Sequence, residues 1–266
     1  MKTLAFMHRN DSRFAVGDFS PVLSVLSHFD FGNTISPFLL LDHLGPGQLQ
    51  SGSSKKGVNE HPHRGFETVT LVFEGEVEHR DSTGNGGVIY AGDVQWMTAA
   101  KGILHEEFFS EAFRARGGRF EMVQLWVNLP AASKMLAPSY QGLTSSEIPV
   151  VKLENEVGQV RVIAGEFHGV TGPAKTHSRI GMLDVQIAAE HEVVFGADEF
   201  LEEQGVAVMS SREADFVLTA VELSQCLVLI GEPLNEPING HGPFVMNTYD
   251  EVLQAYEDIK HDRFLG

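Results

Sequence analysis

The sequence predicts an all-β fold made of two tandem antiparallel β-barrels, followed by a short C-terminal helix. Short apolar runs recur along the chain between tight-turn signals, and glycine accounts for 27 of the 266 residues. Many short strands joined by Gly-rich turns are typical of a barrel or a sandwich. Near the end of the chain the apolar spacing becomes helical, and we predict a helix near residues 249–262.

The first half of the chain contains a series of strand-like segments. Residues 66–73 are rich in β-branched and aromatic side chains, and residues 76–80 alternate between two faces. The turn signal at 81–87 (DSTGNGG) predicts a hairpin that returns at 88–90. Further strands are predicted at 94–98, 103–109 and 120–128. We assign residues 1–135 to a first barrel.

The second half repeats this style after a stretch at 130–149 that is rich in Pro, Ser and Ala and predicts a linker. We assign residues 150–266 to a second barrel that includes the terminal helix. In that helix, Thr248 and Glu251 form a predicted capping box. The strands of the second barrel are predicted at 160–164, 182–188, 193–195, 206–209, 216–219 and 226–230.

Charge and cysteine content narrow the function classes. The net charge is −17, with most of the excess in residues 141–266, and such an acidic surface repels phosphate backbones. Direct nucleic-acid binding is therefore not expected. Cys226 is the single cysteine, so no intramolecular disulfide forms. No signal peptide or membrane span is apparent, and we expect a cytoplasmic monomer.

Two short pairs carry the strongest chemical signal. His61 and His63 are two residues apart, and His105 and Glu107 repeat that spacing. In a β-strand, residues i and i+2 point to the same face, so two such strands could bring three imidazoles and one carboxylate together. On the strand 103–109 this polar pair is bracketed by apolar residues, and burying it unpaired would be costly. A metal ion removes that difficulty.

The donor types indicate which metals fit. Three imidazoles and a carboxylate suit Fe, Mn, Co, Ni, Cu or Zn rather than Ca or Mg. A structural zinc site would favour a closed shell with cysteine, whereas ligands from two strands leave open positions, and we favour iron as Fe(II) or Fe(III). Either pair alone is more often structural. The scattered His168, His177, His191 and His241 are interpreted as surface or core residues, so we expect no metal in the second barrel.

The flanking segments resemble those of the pirins, a branch of the cupin superfamily. The matching segments run along most of the chain and are PFLLLDHLGP at 37–46, HPHRGFETVT at 61–70, EVEHRDS at 76–82, GDVQWMTA at 92–99, GILHEE at 102–107, QLWVNL at 124–129 and GPFVMNT at 242–248. The resemblance implies a bicupin of two jelly-roll barrels with metal in the N-terminal one. It implies His61, His63, His105 and Glu107 as ligands.

The resemblance also implies roles around the ligands. General cupins use the Glu of their first motif as a ligand, and that position is Glu67 here. Pirins do not, so we expect Glu67 to hydrogen-bond a ligand instead. Gln124 shares a strand face with Trp126 and is the expected second donor next to the ligands, while Trp126 itself is interpreted as core. Glu106 should point away from the metal.

Two functions are implied by the family. Some pirins resemble quercetin 2,3-dioxygenases, which open a flavonol ring with O₂. In that hypothesis Glu107 takes the proton of the 3-hydroxyl, and the barrel mouth holds the flat aromatic substrate. Other pirins resemble regulatory binding proteins that act on transcription factors or metabolic enzymes. In that hypothesis the metal senses redox state, and the acidic half of the chain docks a basic protein partner.

Overall fold

A computed structural model describes residues 4–193, 205–209 and 218–265, and most of the secondary structure in these residues is β-strand. The α-helices of these residues are α1 (His28–Phe31), α2 (Glu111–Arg116) and α3 (Tyr249–Lys260), and short 3-10 helices lie at Gly32–Ile35, Ala131–Ser133 and Glu154–Glu156. The first twelve strands are β1 (Leu4–His8), β2 (Arg13–Val16), β3 (Phe19–Ser27), β4 (Phe38–Leu49), β5 (Gly57–His63), β6 (Phe66–Glu74), β7 (Glu76–Asp81), β8 (Gly86–Tyr90), β9 (Val94–Thr98), β10 (Ile103–Phe109), β11 (Gly118–Asn128) and β12 (Ser139–Leu143). The remaining strands are β13 (Val150–Lys152), β14 (Gly158–Ala164), β15 (Glu166–Phe167), β16 (Val170–Thr171), β17 (Ile180–Ile187), β18 (His191–Val193), β19 (Val206–Met209), β20 (Leu218–Ala220), β21 (Ser224–Gly231), β22 (Asn239–His241) and β23 (Phe244–Met246).

The chain forms two compact units, and each unit is made of two separate segments of the chain. The larger unit combines Asp11–Ser145 with Glu232–Gly266, and the smaller unit combines Met1–Asn10 with Ser146–Gly231. This division differs from the predicted barrels at 1–135 and 150–266, because the last segment packs on the larger unit. The backbone N–H of Val245, for example, donates to the carbonyl of Arg64 at 3.0 Å.

The larger unit is built mainly from two antiparallel sheets, to which the short hairpin sheet β22-β23 is added. Strand order is β12-β9-β6-β11-β4-β3-β2 in the seven-stranded sheet and β5-β10-β7-β8 in the other. Side chains from both sheets form a buried apolar cluster at one end, in which the rings of Phe19, Phe109 and Phe120 contact each other at 4.6–5.6 Å. Interdigitated aromatic rings of this kind stabilise the packing of the sheets.

The predicted linker at 130–149 is only partly a linker. Its residues Ser139–Leu143 form β12, which pairs antiparallel with β9 through Tyr140 opposite Met97 and Leu143 opposite Val94. The prediction was wrong for these residues because a stretch rich in Pro, Ser and Ala gives little strand signal until the edge of β9 offers it hydrogen bonds. The boundary between the units falls after Ser145.

The C-terminal helix α3 is confirmed, with its predicted capping box. The Thr248 hydroxyl accepts from the backbone N–H of Glu251, and the Glu251 carboxylate accepts from the backbone N–H of Thr248. Val252 and Ala255 form the buried side of the helix and pack in a cluster with Phe244. No helix among the described residues is long and apolar enough to cross a membrane.

The smaller unit is built around the sheet β13-β14-β17-β21. Val160 and Val162 of β14 pack with Leu183 and Val185 of β17 in a fully apolar core. The predicted strands at 160–164, 182–188, 206–209 and 226–230 are confirmed with small shifts in their bounds. The predictions at 193–195 and 216–219 fall partly outside the described residues.

Candidate metal centre

The register of two neighbouring strands brings the two predicted pairs together. His105 of β10 lies directly opposite His61 of β5, and Ile103 lies opposite His63. Paired residues share a face of the sheet, so His61, His63 and His105 project to the same side. The ring centroids are 4.2 Å apart for His61 and His105, 4.8 Å for His63 and His105, and 4.9 Å for His61 and His63.

Glu107 joins this cluster through His105. One nitrogen from each of His61, His63 and His105 lies within 4.8 Å of the others. A second group with the same spacing comprises His79, His105 and Glu107. Strand β5 has a bulge opposite the segment between His105 and Glu107, which displaces Glu107 from the two histidines of β5. The predicted residues therefore lie in two overlapping groups that share His105.

Burial favours the neutral form of the imidazoles and the protonated form of the Glu107 carboxyl. The exposed fraction is 5% for His63, 1% for His105 and 6% for Glu107. Loss of water lowers the pKa of His63 to about 3 and places the pKa of His105 well below its ordinary value. Burial also raises the pKa of Glu107 to about 7. Neutral imidazoles have a free lone pair, which is the form that binds a metal.

In His61 and in His105, Nδ1 contacts a neighbouring group and Nε2 is left for another ligand. Nδ1 of His61 lies 2.8 Å from the carbonyl oxygen of Asn59, to which it donates if it carries the proton. Nδ1 of His105 lies 3.4 Å from Nδ1 of His79, while Nε2 of His105 is buried with no hydrogen-bond partner. Because ligating histidines commonly bind metal with one nitrogen and a second partner with the other, this cluster fits a first-row transition metal.

Gln124 reaches the cluster through Thr70, not directly. Thr70 of β6 is paired with Gln124 of β11. The Thr70 hydroxyl lies 2.9 Å from Oε1 of Gln124 and 3.5 Å from Oε1 of Glu107. A hydroxyl donates a single proton, so it serves one of these two oxygens at a time. Thr70 thus links the predicted donor to the carboxylate, and the sequence pattern had not singled it out.

Glu67 does not take its predicted place beside a ligand. It is an odd number of positions from Thr70 on β6 and faces the opposite side of the sheet. There its carboxylate accepts a hydrogen bond from the Thr98 hydroxyl at 2.7 Å. Burial raises the pKa of Glu67 to about 7, although Thr98 and Trp96 stabilise its charged form. The expectation came from the aligned cupin motif, and the hydrogen-bond partner that the structure gives Glu67 is Thr98 and none of the four proposed ligands.

An aromatic wall lies beside the histidines. Trp126 is partly exposed, and its ring lies 5.3 Å from that of His63 and 4.3 Å from that of Phe66. Glu106 points away from the cluster and accepts from the Lys55 ammonium at 3.2 Å. The site is therefore polar on the β5–β10 side and apolar around Trp126.

The missed residue closest to the cluster is His79. It is completely buried on β7, opposite Glu107 of β10, and it belongs to the second group of possible ligands. The alternation of β7 does place Val77 and His79 on one face. That local pattern does not reveal which strand lies alongside, so His79 could not be connected with His105 from spacing alone.

The segment after His63 is held by the C-terminal part of the chain. The Arg64 guanidinium forms an ion pair with Asp258 of α3 at 2.7 Å and donates to the carbonyl of Phe264 at 3.2 Å. The buried Lys134 ammonium donates to the carbonyls of Gly65 and Val245 at 2.6 and 2.9 Å. These contacts fix the end of β5, which carries two of the histidines.

Comparison with known proteins identifies the family. The model of the family described as Pirin matches residues 21–127, and that of the Pirin C-terminal cupin domain matches residues 180–265. A Pseudomonas aeruginosa protein named "Putative quercetin 2,3-dioxygenase" is 48% identical, covering 100% of this chain and 99% of its own. This chain belongs to the pirin family. The two-cupin architecture expected of pirins agrees with the all-β fold and its C-terminal helix.

Two further relatives cover most of this pirin. The crystal structure of a quercetin 2,3-dioxygenase from Acinetobacter baumannii has a TM-score of 0.95 and 43% identity, covering 99% of this chain and 98% of that one. The Mus musculus protein named Pirin is 36% identical, covering 85% of this chain and 82% of its own. The likeness therefore extends over both units and over relatives with different names.

Proposed function

We propose that this pirin is a metal-dependent dioxygenase that opens the ring of a quercetin-type flavonol with O₂. The relatives at 48% and 43% identity bear the name of that activity. The observation that carries the proposal is the buried cluster around His105, whose Nε2 has no partner and lies among neutral imidazoles beside a carboxylate. Such a donor set is typical of non-haem transition-metal sites with open positions.

We assign His61, His63, His105 and Glu107 as the metal ligands and iron as the preferred metal, with Mn, Co, Ni, Cu and Zn as alternatives. Support comes from the shared cluster of the histidines and from the position of Glu107 next to His105. A bound metal of this class acts as a Lewis acid that polarises a substrate oxygen and orients O₂.

Glu107 is the proposed general base for the flavonol 3-hydroxyl. Burial raises the pKa of its carboxyl to about 7, which improves its basicity near neutral pH. The Thr70 hydroxyl lies 3.5 Å from Oε1 of Glu107 and serves that oxygen only when it does not donate to Gln124. In this proposal the carboxylate accepts the hydroxyl proton, and the substrate oxygen becomes an anion.

The aromatic wall supplies a surface for a flat ring. Trp126 is partly exposed next to His63 and rests on the buried Phe66, and a flavonol stacked on Trp126 would be held with its 3-hydroxyl towards Glu107. Aromatic contacts of this type favour flat, apolar ligands and exclude water from the reacting oxygen.

Oxygen consumption with a matched pair of substrates tests the proposal. The protein, loaded anaerobically with Fe(II), should consume O₂ with quercetin and not with the flavone that lacks only the 3-hydroxyl. Absence of uptake with every flavonol, for each of the metals named above, would contradict dioxygenase activity. That outcome would favour the alternative of an iron-dependent regulatory protein, in which the acidic residues 141–266 attract a basic partner.

A further inference from the structure

Behind His105 lies a chain of polar contacts that the proposed activity does not use. Nδ1 of His79 lies 3.4 Å from Nδ1 of His105, and Nε2 of His79 lies 3.4 Å from Oδ2 of Asp81. The side chains of His79 and Asp81 have no exposed surface. The ring of Tyr140 stacks on His79, with centroids 5.6 Å apart. Two buried polar side chains are thus aligned with the central histidine of the cluster.

We propose that His79 and Asp81 position His105 for metal binding by fixing which of its ring nitrogens carries the proton. This inference rests on the proposed metal site and adds two residues to it. His79 and Asp81 act through His105 and are positioning residues in this proposal, which gives neither of them contact with the metal.

The positions of the protons follow from the free nitrogen. If Nε2 of His105 binds the metal, its ring proton must be on Nδ1. Nδ1 of His79 must then accept, so the proton of His79 is on Nε2, where it donates to the Asp81 carboxylate. Each donor then has an acceptor: Nδ1–H of His105 donates to His79, and Nε2–H of His79 donates to the Asp81 carboxylate. A carboxylate behind a ligating histidine also makes the ligand more basic.

The turn at 81–85 is built to hold this carboxylate. Oδ1 of Asp81 accepts from the backbone N–H of Thr83 at 2.8 Å, from the Thr83 hydroxyl and from the backbone N–H of Asn85 at 3.3 Å. Oδ2 is therefore the oxygen that serves His79. The turn is also attached to β10, because Ser82 and Leu104 exchange two hydrogen bonds of 2.8 and 3.1 Å next to His105.

Asp81→Asn tests the proton order with little change of shape. The asparagine side-chain oxygen should keep accepting from the three donors of the turn. In the reverse orientation the side-chain NH₂ would face the backbone N–H groups of Thr83 and Asn85. Its amide nitrogen then faces Nε2–H of His79, which forces the His79 proton onto Nδ1 and against the Nδ1–H of His105. We expect Co(II) affinity, measured by competition with a chelator, to fall by about 10- to 100-fold.

His79→Phe is the second variant, and it removes the acceptor while retaining a ring to stack on Tyr140. It should weaken Co(II) binding by a similar factor. The double variant should bind no more weakly than His79→Phe alone, because both changes break the same contact. Glu106→Gln is the matched control: it removes the same unit charge one residue from His105, on the outward face, and should leave Co(II) affinity unchanged.

Proton NMR of the Co(II)-loaded protein separates this role from a general loss of packing. Each ligating imidazole has one exchangeable ring N–H that is strongly shifted by Co(II). The signal of His105 should be shifted or lost in Asp81→Asn and in His79→Phe, while the signals of His61 and His63 persist.

Three results would overturn the proposal. Wild-type Co(II) affinity and an unchanged His105 signal in both variants would refute the positioning role but leave the metal site intact. An additional ligand N–H signal from His79 would make His79 a ligand instead. Failure of the wild-type protein to bind Co(II) would refute the metal site and the positioning role together.

Discussion

The two units of this pirin differ in what their β-strands bury. In the smaller unit, Val160, Val162, Leu183 and Val185 form a continuous apolar core. In the larger unit, the strands β5, β7 and β10 bury three histidines and one carboxyl group close to each other. These residues are His63, His79, His105 and Glu107. Groups of three potential ligands occur only in the larger unit, as far as residues 4–193, 205–209 and 218–265 are concerned.

An antiparallel sheet of this type forms without a histidine cluster, as the apolar core of the smaller unit shows. A buried polar group costs free energy unless it has partners. The smaller unit satisfies its buried Asp184 with Arg161 at 3.0 Å and Gln225 at 2.7 Å. In the larger unit Nε2 of His105 has no such partner, so its burial is better explained by a ligand than by stability.

The largest effect should follow from removing a ligand of the larger unit. His105→Ala deletes the histidine shared by both groups and should abolish stoichiometric metal binding. This loss exceeds the fall of about 10- to 100-fold that removal of an outer partner causes. Metal analysis after anaerobic loading measures it. His177→Ala changes an exposed histidine of the smaller unit and serves as the control. Equal metal content in wild type and His105→Ala would refute the assignment.

The next effect concerns catalysis in the larger unit. Glu107→Gln keeps an oxygen ligand but cannot take a proton, so quercetin-dependent O₂ uptake should fall by about 10²- to 10⁴-fold while some metal is retained. An oxygen electrode and metal analysis on the same sample measure both. Glu106→Gln, whose side chain pairs with Lys55 outside the cluster, should retain wild-type uptake. Wild-type turnover by Glu107→Gln would exclude the role as base.

A core substitution in the smaller unit should affect stability alone. Leu183 is 1% exposed, and Leu183→Ala should lower the free energy of unfolding by about 2–5 kcal/mol through the cavity it leaves. Thermal or denaturant unfolding gives this value. Below the unfolding transition, metal content should equal that of the wild type. A loss of metal from the folded variant would show that the units are not independent in this respect.

Glu67 should produce a smaller, pH-dependent effect. Its pKa rises from 4.5 to about 7 on folding, so between these values the folded state holds the proton more tightly than the unfolded chain. The stability contribution of Glu67 is therefore present below pH 4.5 and is lost as the pH rises towards 7. Glu67→Gln removes this ionisation, and its stability relative to wild type should increase by about 3 kcal/mol over that range. Denaturant unfolding at several pH values, with both proteins in the same metal state, measures the difference. A difference independent of pH would contradict the account of Glu67.

The strands that carry the proposed ligands were accessible from the sequence. The β-strand Ile103–Phe109 has its predicted bounds, and His61 and His63 do lie on a strand beside it. Period-2 alternation and turn residues are local properties, and they determine these elements directly. The helix α3 was predicted equally well, because its capping box and apolar stripe also lie within a few residues of each other.

Features that depend on pairing between distant strands could not be predicted from the sequence. His79 meets His105 only because β7 lies alongside β10 in a particular register. The role expected of Glu67 came from a motif, which does not specify the strand face on which this side chain lies or its pairing with Thr98. The return of residues 232–266 to the larger unit leaves no trace in composition, since it depends on contacts such as Arg64 with Asp258.

We propose above all that the larger unit holds one catalytic metal at the histidine cluster. Metal analysis of the wild-type protein, purified and kept anaerobic, tests it most directly when combined with titration of the metal-free form by Fe(II). We expect saturable binding of a single first-row metal ion per chain, and the same stoichiometry when the smaller unit carries Leu183→Ala. Absence of tight binding for every first-row metal, or undiminished binding after His105→Ala, would contradict it.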